Sequence, residues 1–97
     1  MLLTNDQAKV QLNLCLQEGR VRYTVHFKEE LANDGLSMQD VIAVCRSGAI
    51  AVPPEPDIRG GDWKYRIEGY SSDGDKIAVV FAFELERNTV FITVFRR

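Results

Sequence analysis

The chain has 97 residues, 45% hydrophobic and 27% charged, and carries a net charge of −2. That length and composition give a single domain over residues 1–97 with enough apolar content for its own core, and the charge excludes a general polyanion binder, whose affinity rests on many phosphate contacts. No apolar run reaches the length a bilayer requires and "MLLTNDQ" lacks the basic and apolar regions of a signal peptide, so a cytoplasmic location is expected, with no membrane partner.

In chain order, Thr4-Asn5-Asp6-Gln7 fits a capping box and Gly19 a stop, which together predict a first helix. Val10, Leu12, Leu14 and Leu16 nevertheless alternate with polar residues at a strand's period, so cap and pattern disagree. Thr24 caps a second helix through "VHFKEELAND", which ends at Gly35. Ser37-Met38-Gln39-Asp40 opens a third, "MQDVIAVCR", with Val41, Val44 and Cys45 on one face and Gly48 as its stop. "AIAVPPEPD" reads as a short strand and a Pro-rich loop. From Asp62 the period becomes two. "DWKYRIEGY", "KIAVVFAFEL" and "NTVFITVFR" predict three strands joined by short turns, an antiparallel meander. "VFITVF" is apolar at almost every position, which places the last strand inside the sheet and makes Phe91 and Ile92 both core residues. The expected class is α+β: helices over about 5–47 packed on one face of a curved, mainly antiparallel sheet of about four strands over about 49–97.

Cys15 and Cys45 stand thirty residues apart among apolar neighbours, a pattern of small buried hydrophobes and not of a disulfide framework. One histidine and two separated cysteines do not make a transition-metal site, and no cofactor is expected. Gly60-Gly61 lacks the Lys-Ser/Thr of a phosphate-cradling loop.

His26 is the one side chain whose ordinary pKa lies near neutrality, which makes it the first candidate acid or base. It stands four residues before Glu30, in a helix's first turn, where a packing or capping role is the commoner fate. Lys64 and Arg66 are two apart and share one face of a strand, with Trp63, Tyr65 and Ile67 on the other. A solvated outer face explains that pattern as well as an anion-binding surface does. "IAVVFAFE" is apolar at both parities, however, and a strand covered on both sides beside one bearing Lys64 and Arg66 points to a groove. Arg59, carried by the permissive Gly60-Gly61, forms a mobile lip beside that groove. Arg96 and Arg97 project to opposite faces, so one of them joins it; Arg96 is the candidate.

From Arg22 onward, "YTVHFKEELANDGLSMQDVIAVCRSG", "WKYRIEG", "DGDKIAVVFAF" and "VFITVFR" resemble, in order and spacing, the bacterial family catalogued as domain of unknown function 4258. That family is grouped with the barnase–EndoU–colicin–RelE fold of metal-independent ribonucleases and toxins. The resemblance implies a toxin-like RNA endonuclease, with RNA and a cognate antitoxin-like protein as partners. His26 takes the family's histidine and Arg66 its strand arginine. In this reading His26 is the acid or base, Lys64 and Arg66 stabilise charge on the phosphate, and Tyr65 replaces His26 if the strand register turns it inward. Arg59 and Arg96 would add phosphate contacts. Where family members carry arginines four and eight residues after the histidine, this chain has Glu30 and Asp34. That departure supports an alternative, a catalytically silent protein-binding module on the same fold.

Overall fold

Side-chain caps set the helix starts. The computed structural model describes residues 2–57, 62–84 and 87–97, and in it α1 (Asn5–Glu18), α2 (Val25–Asn33) and α3 (Met38–Ser47) begin at Thr4, Thr24 and Ser37. The Thr4 hydroxyl accepts from Gln7 N at 3.2 Å, and the Gln7 side chain accepts from Thr4 N at 3.0 Å. Ser37 and Asp40 make the second such box. In α1 the cap prevails over the alternating pattern. Ala8, Leu12 and Cys15 fall on one helical stripe and are buried, whereas Val10 is 70% exposed.

The sheet contains β1 (Val21–Tyr23), β2 (Glu55–Pro56), β3 (Trp63–Tyr70), β4 (Lys76–Phe83) and β5 (Thr89–Arg96), in the spatial order β1-β5-β4-β3-β2. The meander β3-β4-β5 is antiparallel as expected, and β5 lies inside the sheet. One expectation is corrected: among the described residues the sheet has five strands, not about four. It is mainly antiparallel as expected, with one parallel pair, β1 to β5, in which Val21 lies opposite Thr89 and Tyr23 opposite Phe91. β1 is three residues between a helix stop and a helix cap, and its partner lies some seventy positions away in the chain. Nothing local marks it as a strand. Within "AIAV" only Ala49 pairs, as an isolated bridge to Glu68; the short strand forms later, at Glu55–Pro56.

All three helices contribute to one buried cluster on a single face of the sheet. Leu12, Phe27, Val41, Val44 and Cys45 meet Tyr65, Ile67, Ile77, Val79, Phe81, Phe91 and Val94 there. Phe27 and Tyr23 stack on Phe91, with ring centres 5.3 and 5.7 Å away. Gly48 is a point of close approach and not a left-handed stop. A Cβ on it would stand 2.5 Å from the carbonyl oxygens of Glu68 and Val44. Only glycine lets the end of α3 lie against β3.

Strand register is interrupted once. Val80 pairs with Thr93 but Phe81 pairs with Phe91, so Ile92 is an extra residue in β5. This bulge resets the strand's parity: Phe91 and Val94 both face the helices, while Ile92 and Thr93 both border the opposite face. Ile92 is therefore only half-buried and does not join the helix-side core, a second correction to the apolar reading of "VFITVF".

Candidate functional site

Alternation along β3 sends Tyr65 and Ile67 to the helices and Lys64, Arg66 and Glu68 to the opposite face. The register sets these beside Ala82, Val80 and Ala78 of β4, and beyond them Val90, Thr93 and Phe95 of β5. The central strand thus offers small side chains between two rows of larger ones. Two adjoining hollows result. The larger, about 750 Å³, runs from Arg22 and Thr24 across Ala82 and Val90 to Glu55, Asp57, Asp62 and Lys64. The smaller, about 270 Å³, lies under Val52 and Pro53, with Val80 as floor and Ile92, Thr93 and Phe95 as far wall. Lys64 and Glu55 line both. The groove anticipated from the doubly apolar "IAVVFAFE" is therefore present.

Its electrostatics are mixed. Arg22 pairs with Glu84 at 2.7 Å. One oxygen of Glu68 accepts from Arg66 Nη2 at 3.1 Å and from Arg97 Nε at 2.8 Å, and the Arg66 guanidinium lies 5.3 Å from the centre of the Phe95 ring. Arg66 Nε is buried without an acceptor. Lys64 has no ion pair among the described residues, so its ammonium is the cation of this face most available to an incoming anion. Among the described residues the larger hollow is nevertheless lined by two cations, Arg22 and Lys64, and four acids, Glu55, Asp57, Asp62 and Glu84.

The predicted residues do not all meet. Lys64 and Arg66 share the smaller hollow. Tyr65 is 1% exposed, its ring stacked on Phe81, and its hydroxyl accepts from Leu3 N at 2.7 Å and donates to Leu3 O at 3.2 Å. It pins the chain ahead of α1 and presents its side chain away from Lys64 and Arg66. His26 is 62% exposed at the start of α2, with Nε2 4.0 Å from Glu30, and lines neither hollow. α2 follows β1, which lies three strand spacings from β3, or ~14 Å. His26, on a helix packed against the other side of the sheet, is therefore not brought together with Arg66. Arg96 lies on the helix side, where it donates to the Asp34 carbonyl at the end of α2 and pairs with Asp75 at 2.6 Å. Hydrogen bonding to Asp75 raises its pKa further. It is Arg97, not Arg96, that reaches the cluster around Arg66. The lip at Arg59, Gly60 and Gly61 lies outside the described residues.

Alternation along the strand puts Glu68 on the cationic side, where it partly neutralises Arg66, but sequence reasoning missed Arg97 as its second partner and Thr93 as a residue lining the smaller hollow. The one available signal for Thr93 was the parity break between Phe91 and Val94, which becomes legible once both are known to be core. Among the described residues no cluster of three or more His, Cys, Asp or Glu side chains is placed to hold a metal ion, and no helix is long and apolar enough to cross a membrane. Burial pushes the Cys45 thiol up to about 12, as befits a packing group and not a nucleophile.

A family model described as domain of unknown function (DUF4258) matches residues 23–96, which leaves α1 outside the matched span. No curated protein and no solved structure matches the chain.

Proposed function

The chain belongs to the domain of unknown function (DUF4258) family, and on that footing we propose that it is a toxin-like RNA endonuclease that works without a metal ion in the cytoplasm. The observation that carries this reading is the open sheet face itself: Lys64 without an ion pair among the described residues, Arg66 beside it, and a trough of small side chains leading toward the start of α2. His26 in its neutral form accepts the proton of a ribose 2′-hydroxyl as that oxygen attacks the adjacent phosphorus. The bond to the 5′-oxygen breaks, and the imidazolium returns a proton to the leaving oxygen. The products are a 2′,3′-cyclic phosphate and a 5′-hydroxyl. With β1 three strand spacings, or ~14 Å, from β3, Lys64 and Arg66 would hold another phosphate of the same strand, anchoring substrate and not stabilising the transition state.

The test is incubation of the purified chain with mixed RNA in EDTA. Cleavage is expected, lost in His26→Ala with RNA binding retained, and in Lys64→Ala slowed through a higher KM at little change in kcat. No cleavage of any RNA, or cleavage unaffected by His26→Ala, overturns the assignment.

A specific observation favours a second reading, the catalytically silent module. Among the described residues the larger hollow is lined by four acids and two cations, and Glu30 stands beside His26. Those charges suit a basic segment of a protein partner better than they suit RNA. Undetectable RNA binding at physiological salt, together with harmless expression in the host, selects this reading. Growth arrest on induction that His26→Ala relieves selects the first.

A further inference from the structure

The smaller hollow has a composition that anion binding alone does not explain. Val80, Ile92, Pro53 and Phe95 supply an apolar floor and apolar walls, and four polar side chains share the lining with them. The Thr93 hydroxyl is one of them. The others are Arg66, and Lys64 and Glu55, which sit where the two hollows join. The bulge in β5 is what brings Ile92 and Thr93 to this face together; in an unbroken strand Thr93 would share its face with Phe91 and point into the core. Irregularities of this kind re-aim side chains beside functional sites. Apolar walls with a hydroxyl, one carboxylate and two cations in the lining suit a flat heterocycle attached to a phosphate held on the cations.

We propose that the hollow between Pro53, Val80, Ile92 and Thr93 is a subsite for one nucleobase of the RNA, with the adjoining phosphate on Lys64. The proposal rests on the RNA reading given above and adds to it a place where the sequence of the substrate is sensed. At about 270 Å³ the hollow falls below the ~300–1,000 Å³ usual for sites that enclose a whole ligand, so it takes one base and leaves the ribose and phosphate outside. Ile92 and Pro53 pack against the faces of that ring. Thr93, able to donate or accept, bonds its edge. From Lys64 the strand continues through the larger hollow, over Ala82 and Val90, to Thr24 and the start of α2. The base held here therefore belongs to a nucleotide other than the one whose 2′-hydroxyl reaches His26.

The test is an NMR titration of the full chain with uridine 5′-monophosphate and, separately, adenosine 5′-monophosphate, up to millimolar concentration. Both nucleotides are expected to shift the amides of Val80, Ile92, Thr93 and Lys64. Thr93→Val, which keeps the shape and removes the hydroxyl, is expected to weaken binding about fivefold. Val80→Phe, which fills the slot from the face away from the core, is expected to abolish it while the amide shifts of the helix-side core stay in place. Shifts confined to other surfaces, no binding of either nucleotide, or an unchanged Kd in Thr93→Val would each overturn the subsite. The endonuclease reading fails separately. Uridine monophosphate bound in the slot of a chain that cuts no RNA supports the subsite and removes the catalytic role, whereas RNA cut by a chain that ignores both nucleotides does the reverse.

Discussion

Phe91 and Ile92 are neighbours in an apolar run, and their truncations are expected to differ severalfold in cost. Phe91 is fully buried and its ring contacts those of Tyr23 and Phe27, so Phe91→Ala empties a core site at about 3–5 kcal/mol and forfeits aromatic contacts worth ~0.5–1.5 kcal/mol a pair. Ile92, the extra residue of the bulge, is half-buried on the open face. Ile92→Ala removes three carbons there at ~0.8 kcal/mol each when fully buried, and half of that leaves about 1 kcal/mol. A chain of this length has about 5–15 kcal/mol of stability in all, so the first variant stands near the edge of folding and the second does not. Urea unfolding followed by circular dichroism is the assay, with the slope of ΔG against urea unchanged for both. Thermal midpoints should fall by about 4–8 °C per kcal/mol, a drop of tens of degrees for Phe91→Ala and only a few for Ile92→Ala. Equal losses, or a larger loss for Ile92→Ala, would mean that the strand continues without a bulge and that Thr93 does not face the hollow.

Glu68→Gln removes the carboxylate shared by Arg66 and Arg97; retention of an RNA oligonucleotide should rise and its salt dependence steepen by about 0.7 in log–log slope per phosphate newly engaged, with some loss of thermal midpoint. An unchanged slope would show that those guanidiniums do not meet phosphate. The Cys45 thiol, held protonated by burial up to about 12 against 9.0 for the ordinary group, gives a pH dependence of defined sign. Between those values the folded chain holds a proton that the unfolded chain has released, so stability falls as pH rises, by up to ~1.4 kcal/mol per unit. Urea midpoints of the wild type and Cys45→Ala, compared from pH 8 to 11, should converge as the wild type loses that term; parallel curves would refute it. Arg96→Ala should lower the thermal midpoint more than Arg97→Ala, since Arg96 alone ties the end of α2 to the turn before β4; the reverse order in a melting scan would contradict that arrangement.

What could be seen in the sequence was local. Thr4-Gln7 and Ser37-Asp40 carry their hydrogen bonds within four residues, and the meander is written in two-residue alternation closed by short turns, so helices and central strands follow from neighbours alone. The same alternation placed Lys64 and Arg66 together on the face away from Tyr65 and Ile67. What escaped was set by distant partners. β1 is a strand only because Phe91 and its neighbours stand beside it, and the choice between Arg96 and Arg97 depends on where the bulge resets parity. A bulge is an offset between two strands, and a single strand read alone does not contain it. His26 failed to join Lys64 and Arg66 for a related reason. Its helix follows β1, and the position of β1 at the far edge of the sheet is a topological fact absent from the residues around it.

That topology also fixes an order of events during synthesis. β5 is the last of the described elements to be made, yet it sits inside the sheet and carries both β1 and the inner face of α2. Until it emerges, Tyr23 and Phe27 have nothing to stack on, and β4 has an unpaired edge lined with valine and phenylalanine. A ribosome-bound chain is therefore committed to holding apolar surface open for most of its length, a few seconds at ordinary elongation rates. Folding here is an end-loaded event: the seam between the first strand and the last closes only after everything between them has been made.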